Sequence, residues 1–146
     1  MSNKEYNAAF DLLSNNAIKL SNKLAFIDDF KSINYFDLQE KVKSFSKSLF
    51  NLGLIKGDKV IICMHDCINY PISFLGAIWS GIIPVSINTM LPKNDLKYMV
   101  EDSGAKAVIC SESLFDIFLE LKKASKDDIL LLVNIQKEVF DDLNYL

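Results

Sequence analysis

The chain has 146 residues, half of them apolar and 24% charged. That balance fits one globular domain with a buried core and argues against a disordered chain. Its net charge is −3 and all 16 basic residues are lysine; with no arginine there is no planar fork for bidentate phosphate or guanine recognition, which argues against nucleic-acid binding. Three cysteines, Cys63, Cys67 and Cys110, with no signal-peptide pattern ahead of them, argue against a secreted disulfide framework and for a reducing cytoplasm.

From the N-terminus, Tyr6 to Leu20 carries Phe10, Leu13, Ala17 and Leu20 at helical spacing. Leu24 to Ile27 and Ser32 to Tyr35 read as short strands of a hairpin turning at Asp28-Asp29-Phe30-Lys31. The clearest helix follows: Leu38, Val42, Phe45, Leu49 and Leu52 repeat at 4-3-4-3 spacing, opposite Gln39, Glu40, Lys41, Lys43, Ser44 and Lys47. Gly53 ends it as a left-handed cap. After a turn at Gly57-Asp58, the apolar run Val60 to Met64 is a strand buried on both faces.

Cys67 to Pro92 contains no charged residue and is long enough to cross a bilayer. Pro84, Gly81 and the β-branched run around them argue against a span and for a buried helix, Asn69 to Ser80, followed by a buried strand, Ile82 to Ile87. Pro71 is tolerated in that helix's first turn. Gly76 and Gly81, on either side of Trp79, are expected to permit tight packing. Pro92 to Asp102 is a helix with Leu96, Met99 and Val100 inward and Gly104 closing it. Ala107 to Cys110 is strand, Glu112 to Ala124 helix, Ile129 to Val133 strand, and 134–146 a frayed helix or tail. Strand–helix alternation at this rhythm predicts right-handed βαβ units, hence an α/β fold with a mostly parallel sheet flanked by helices.

Three constellations could carry chemistry. Cys63-Met64-His65-Asp66-Cys67 offers two thiols and an imidazole, but structural zinc takes four ligands from two separated knuckles. Cys63 is expected in the core, and Cys110 is the one other thiol, so buried cysteines are favoured over a metal site. His65 ends a parallel strand, where α/β ligand crevices form, and is expected as a surface-loop histidine. Asp28, Asp29 and Asp66 imitate the acidic pocket of a receiver domain; Lys106 precedes its strand and Asn134 follows the last one, so no lysine completes that pocket, and Asp28-Asp29 is read as a solvated turn. The five glycines (Gly53, Gly57, Gly76, Gly81, Gly104) match neither GxGxxG nor GxxxxGK[ST].

Several motifs occur in one order. Ile33-Asn34-Tyr35-Phe36-Asp37-Leu38 is similar to "T-Y-x-E-L"; Leu52-Gly53-Leu54 through Gly57-Asp58-Lys59-Val60 is similar to "LG-(I/V)-x-x-GD-x-V". Leu75 through Val85 resembles "A-x-x-x-G-x-x-P-V", and Tyr98 through Lys106 resembles "Y-x-L-E-D-S-x-A-K". From about Phe10 to Ser111 the chain resembles the N-terminal subdomain of adenylate-forming acyl-CoA synthetases. Asn88-Thr89 with Leu91, and Asn7-Ala8-Ala9, make it most like the benzoate–CoA ligase branch.

The resemblance implies a parent reaction in which a carboxylic acid joins AMP from Mg-ATP and the acyl group then passes to coenzyme A. It also implies a Thr/Ser/Gly-rich phosphate loop ending in Pro-Lys, a Tyr-Gly-x-Thr-Glu motif, a ribose-binding aspartate and a C-terminal catalytic lysine. None has a counterpart between Met1 and Leu146, so no catalytic, cofactor-binding or metal residue is assigned. Residues 1–146 are expected to be one partial domain, a truncated fragment inactive alone that binds none of ATP, Mg or CoA. The alternatives are half of a split ligase completed by a separate chain, or a non-catalytic receiver- or flavodoxin-like module. No membrane partner is expected; self-association through exposed apolar surface is.

Overall fold

A computed structural model describes residues 6–125 and 129–134. Helix α1 (Ala8–Lys19) is capped by Asn7, whose Oδ1 accepts from the Phe10 N–H at 2.9 Å. Strands β1 (Leu24–Ile27) and β2 (Ser32–Asn34) form the antiparallel hairpin, and Asn34 caps α2 (Tyr35–Asn51) by accepting from the Asp37 N–H. Next come β3 (Lys59–Cys63), α3 (Asn69–Trp79), β4 (Ile83–Ser86) and α4 (Lys93–Ser103). Strand β5 (Ala107–Ser111), a single 3-10 turn (Glu112–Leu114), α5 (Phe115–Ala124) and β6 (Leu130–Asn134) complete the described chain. Asn134 ends β6; the rest of the expected tail lies outside the described residues.

All four sheet strands run parallel, in the order β4-β3-β5-β6. Their side chains alternate between two faces, as the pleat requires. Val60, Ile62, Ala107, Ile109 and Leu132 face α1, α2 and α3; Ile61, Cys63, Val108, Cys110 and Leu131 face α4 and α5. Each side has its own core, so the continuous apolar runs of the central strands are explained by burial on both faces. Along α2, Leu38, Val42, Phe45 and Leu49 are buried, each contributing about 2 kcal/mol by removal of apolar surface from water. Gly53 and Gly104 follow their helices at φ +88° and +62°, where a Cβ would be strained.

Two expectations fail. The inward face of α1 is Ala9-Leu13-Ala17, while Phe10 is half exposed and tilts against Trp79 at 5.4 Å, and Leu20 lies outside the helix. The reason is shape: alanines let α1 sit close, with Phe10 covering the indole from outside. Strand β4 is an edge strand rather than a buried one, with Ile83 48% exposed. The N–H groups of Ile83 and Ile87 point towards β3, so Pro84, of the opposite parity, removes a donor from the open edge. Both glycines pack closely, as expected: Gly76 lies against α2, and Gly81, past the end of α3 at φ +73°, makes a turn in which a Cβ would lie 2.9 Å from Lys56 Cγ.

Long-range polar links fix the layers. Asn7 Nδ2 donates to the carbonyls of Ile78 (2.7 Å) and Trp79 (3.2 Å), joining the start of α1 to the end of α3. Ser73, fully buried in α3, has no hydrogen-bond partner for its hydroxyl. Removing that stranded group by Ser73→Ala should raise stability by about 1 kcal/mol, read as a higher urea midpoint at unchanged slope. A lower midpoint would contradict it.

Candidate functional site

From β3 the chain crosses through α3 to β4 on one side, then through α4 back past β3 to β5 on the other. The crossovers therefore diverge between β3 and β5, and ligands of open parallel sheets bind beyond the C-terminal strand ends at such a point. Here that rim holds His65, Ser111 and Ser113. The His65 N–H donates to Ser111 Oγ at 2.9 Å, and His65 Nε2 lies 3.0 Å from Ser113 Oγ. Beside them, Tyr70 donates its hydroxyl to Ser86 Oγ at 2.6 Å, tying α3 to the end of β4. The Ser113–His65 pair was not foreseen: the two residues are 48 apart, and only parallel pairing of β3 with β5 brings them together.

Chemically His65, Ser111 and Ser113 form a hydrogen-bonding set. A serine beside a histidine resembles an activated nucleophile, but activation needs a third group to orient the base, and the bonds of His65 supply none. Nor do the described residues fit Mg-ATP. Glycines 57, 81 and 104 precede β3, β4 and β5, at the N-terminal rim, opposite the ligand end. The loops leaving β3 and β4 at the C-terminal rim contain neither glycine nor lysine. Lys93, which opens α4 nearby, is bonded to Glu120. Among the described residues no group of three His, Cys, Asp or Glu side chains could hold a metal ion.

The Cys63–Cys67 cluster is divided by the fold. Cys63 and Cys110 are register partners on β3 and β5, both buried against α4 and α5. Burial pushes the Cys63 thiol up to about 11; burial, with Cys63 adding, pushes Cys110 up to about 12. Both are protonated, unreactive core groups at neutral pH. Cys67 instead lines an open groove of about 630 Å³ between the hairpin turn, the β3–α3 loop and α3. Asp28, Asp29 and Asp66 all border this groove, so the packing of the hairpin against α3 does bring together the three acids singled out from sequence. Lys106 sits at the far end of β5, its N–H bonded to the Lys59 carbonyl.

Asp28 is more than a solvated turn residue. Its Oδ1 accepts from the N–H groups of Phe30 and Lys31, and its Oδ2 accepts from the Ile68 N–H, each at 2.9 Å. The Ile68 bond, 40 residues away, is the largest reason its carboxyl is held below the ordinary value; burial works against it, and the Phe30 and Lys31 N–H groups and the Lys31 charge add to the lowering.

A parallel sheet with this strand order between two helical layers defines the class: a doubly wound α/β framework. The sequence profile of the AMP-binding enzyme family matches residues 13–143, and the chain belongs to that family. It is 38% identical over 117 residues to benzoate–CoA ligase of Thauera aromatica, covering 79% of this chain and 22% of that protein. It is 33% identical over 118 residues to the 4-hydroxybenzoate–CoA/benzoate–CoA ligase of Rhodopseudomonas palustris, covering 80% and 22%. The solved structure of a benzoate CoA ligase from Burkholderia xenovorans LB400 superposes with a TM-score of 0.85 at 32% identity, over 90% of this chain and 26% of that one. The chain thus spans about a fifth of the length of the curated relatives it matches (22%). Among the described residues no helix is long and apolar enough to cross a membrane; the uncharged stretch is α3 followed by β4.

Proposed function

We propose that this chain is the framework portion of an ATP-dependent acid–CoA ligase of the aryl branch, and that it catalyses no adenylation by itself. The observation that carries this reading is a combination: a family match over residues 13–143 with a C-terminal rim that, among the described residues, offers no phosphate-gripping loop. Adenylation builds charge on phosphate oxygens, and stabilising it requires positioned donors and a metal. His65, Ser111 and Ser113 can hydrogen-bond a neighbouring group, and the lysines near the rim are engaged elsewhere, Lys93 with Glu120 and Lys31 with Asn69.

ATP–pyrophosphate exchange on the purified chain, with benzoate and Mg²⁺, should stay at background; exchange above background would overturn the reading. The same assay tests a second version, in which a separate polypeptide carries the phosphate loop. Heavy exposure of apolar side chains favours a covering partner: Ile18 is 82%, Met90 83% and Phe30 76% exposed. A larger chain that co-purifies and restores exchange would establish that version. Self-association through the same apolar side chains, in a cytoplasmic protein, is the outcome proposed where no such chain exists.

A further inference from the structure

The groove between β1 and α3 combines two features that the ligase reading does not use. Its lining is largely apolar and aromatic, with Phe26, Tyr70 and Phe74, and the last two rings lie near-parallel with their centroids 6.5 Å apart. Its border carries three carboxylates; Lys31, whose ammonium donates to Asn69 Oδ1 at the start of α3, acts on Asp28 alone of the three. Asp28 spends its oxygens on backbone N–H groups, but Asp29 and Asp66 have neither a hydrogen bond nor an ion pair among the described residues. The volume, about 630 Å³, lies within the range of small-molecule sites.

Unpaired like charges beside stacked rings favour one kind of guest. A cation relieves the repulsion between carboxylates and is attracted to ring faces, while an apolar body covers the floor. A carboxylate guest meets the two unpaired like charges of Asp29 and Asp66 here, so this groove is unsuited to an acid substrate. We propose that it binds an organic ammonium ion with an aromatic or alkyl body. The inference is independent of the ligase reading, because it needs neither ATP nor the remainder of the family fold.

Three compounds of one skeleton test it on the full chain: 4-phenylbutylammonium, 4-phenylbutanol and 4-phenylbutanoate, followed by calorimetric titration and amide NMR. The ammonium should bind and shift the amide signals of Ile27, Asp29 and Cys67. The alcohol should bind about tenfold more weakly, the scale of one charge-assisted hydrogen bond. The carboxylate should not bind. Asp29→Asn with Asp66→Asn should lower ammonium affinity about tenfold while leaving the melt unchanged, since neither side chain holds the fold. Asp95→Asn with Asp102→Asn, the same charge change on α4, should leave affinity as it was. No shift in groove amides, equal binding of all three compounds, or undiminished affinity in the Asp29/Asp66 variant would overturn the proposal.

Discussion

Gly76→Ala should destabilise the protein by about 2 kcal/mol, although alanine is the better helix former. A Cβ built at Gly76 falls 2.6 Å from Phe45 Cδ1 and 3.3 Å from the Val42 carbonyl oxygen, both on α2. Phe45 is buried, and the carbonyl belongs to the helix backbone, so neither yields freely. Overpacking of this kind costs about 1–3 kcal/mol, against up to about 1 kcal/mol gained in helix propensity. Separating the helices also strains the buried contact one turn along, where Ser80 Oγ lies 2.7 Å from Ser46 Oγ and 2.9 Å from the Gly76 carbonyl. The thermal midpoint should fall by roughly 5 °C. Adding Phe45→Leu should recover part of the loss, a non-additivity expected of touching residues. An unchanged or higher midpoint in Gly76→Ala would mean that Phe45 turns aside without strain.

Much of this framework was legible because its signals are local. The Leu38-Val42-Phe45-Leu49 stripe is set by helical geometry alone, and all four residues are buried. Gly53 and Gly104 sit at helix ends with positive φ, as caps do. The run from Val60 is apolar because β3 lies between two strands and two helical layers. The failures share a cause: they depend on what lies across space. Phe10 and Leu13 look equivalent on one helix until the neighbouring Trp79 decides which is covered. β4 resembles a central strand in composition, and only strand order makes it an edge.

The polar links Asn7 to Ile78, Asp28 to Ile68 and Ser46 to Ser80 span 71, 40 and 34 residues, and no sequence spacing announces them. At the candidate site the split is the same. His65 at a strand end was readable; its contact with Ser113 was not. The three acids were readable as residues, and their convergence on one groove depends on how the hairpin sits against α3.

That hairpin contact underlies the remaining large effect: Asp28→Ala should lower stability by about 2 kcal/mol. Helix α3 has no side-chain cap of its own, since Ile68 occupies the cap position. Asp28 supplies the missing acceptor from another element and adds a negative charge at the positive helix end. The turn N–H groups of Phe30 and Lys31 can be taken up by water, so most of the loss comes from the partly buried Ile68 bond, at about 1.5–3 kcal/mol for a charge-assisted link. Asp28→Asn keeps the shape and loses the charge, so it should cost about half as much. The pH dependence has a definite sign. The folded carboxyl titrates below its ordinary value of 3.8, so its stabilisation is complete above that value and disappears as pH falls through the lower, folded one. The stability gap between the parent and Asp28→Asn should therefore be constant from pH 7 to about pH 5 and close below about pH 4. Urea midpoints measured across that range decide it: a gap that persists undiminished at pH 2.5, or no gap at pH 7, would show that Asp28 does not hold the start of α3 by its charge.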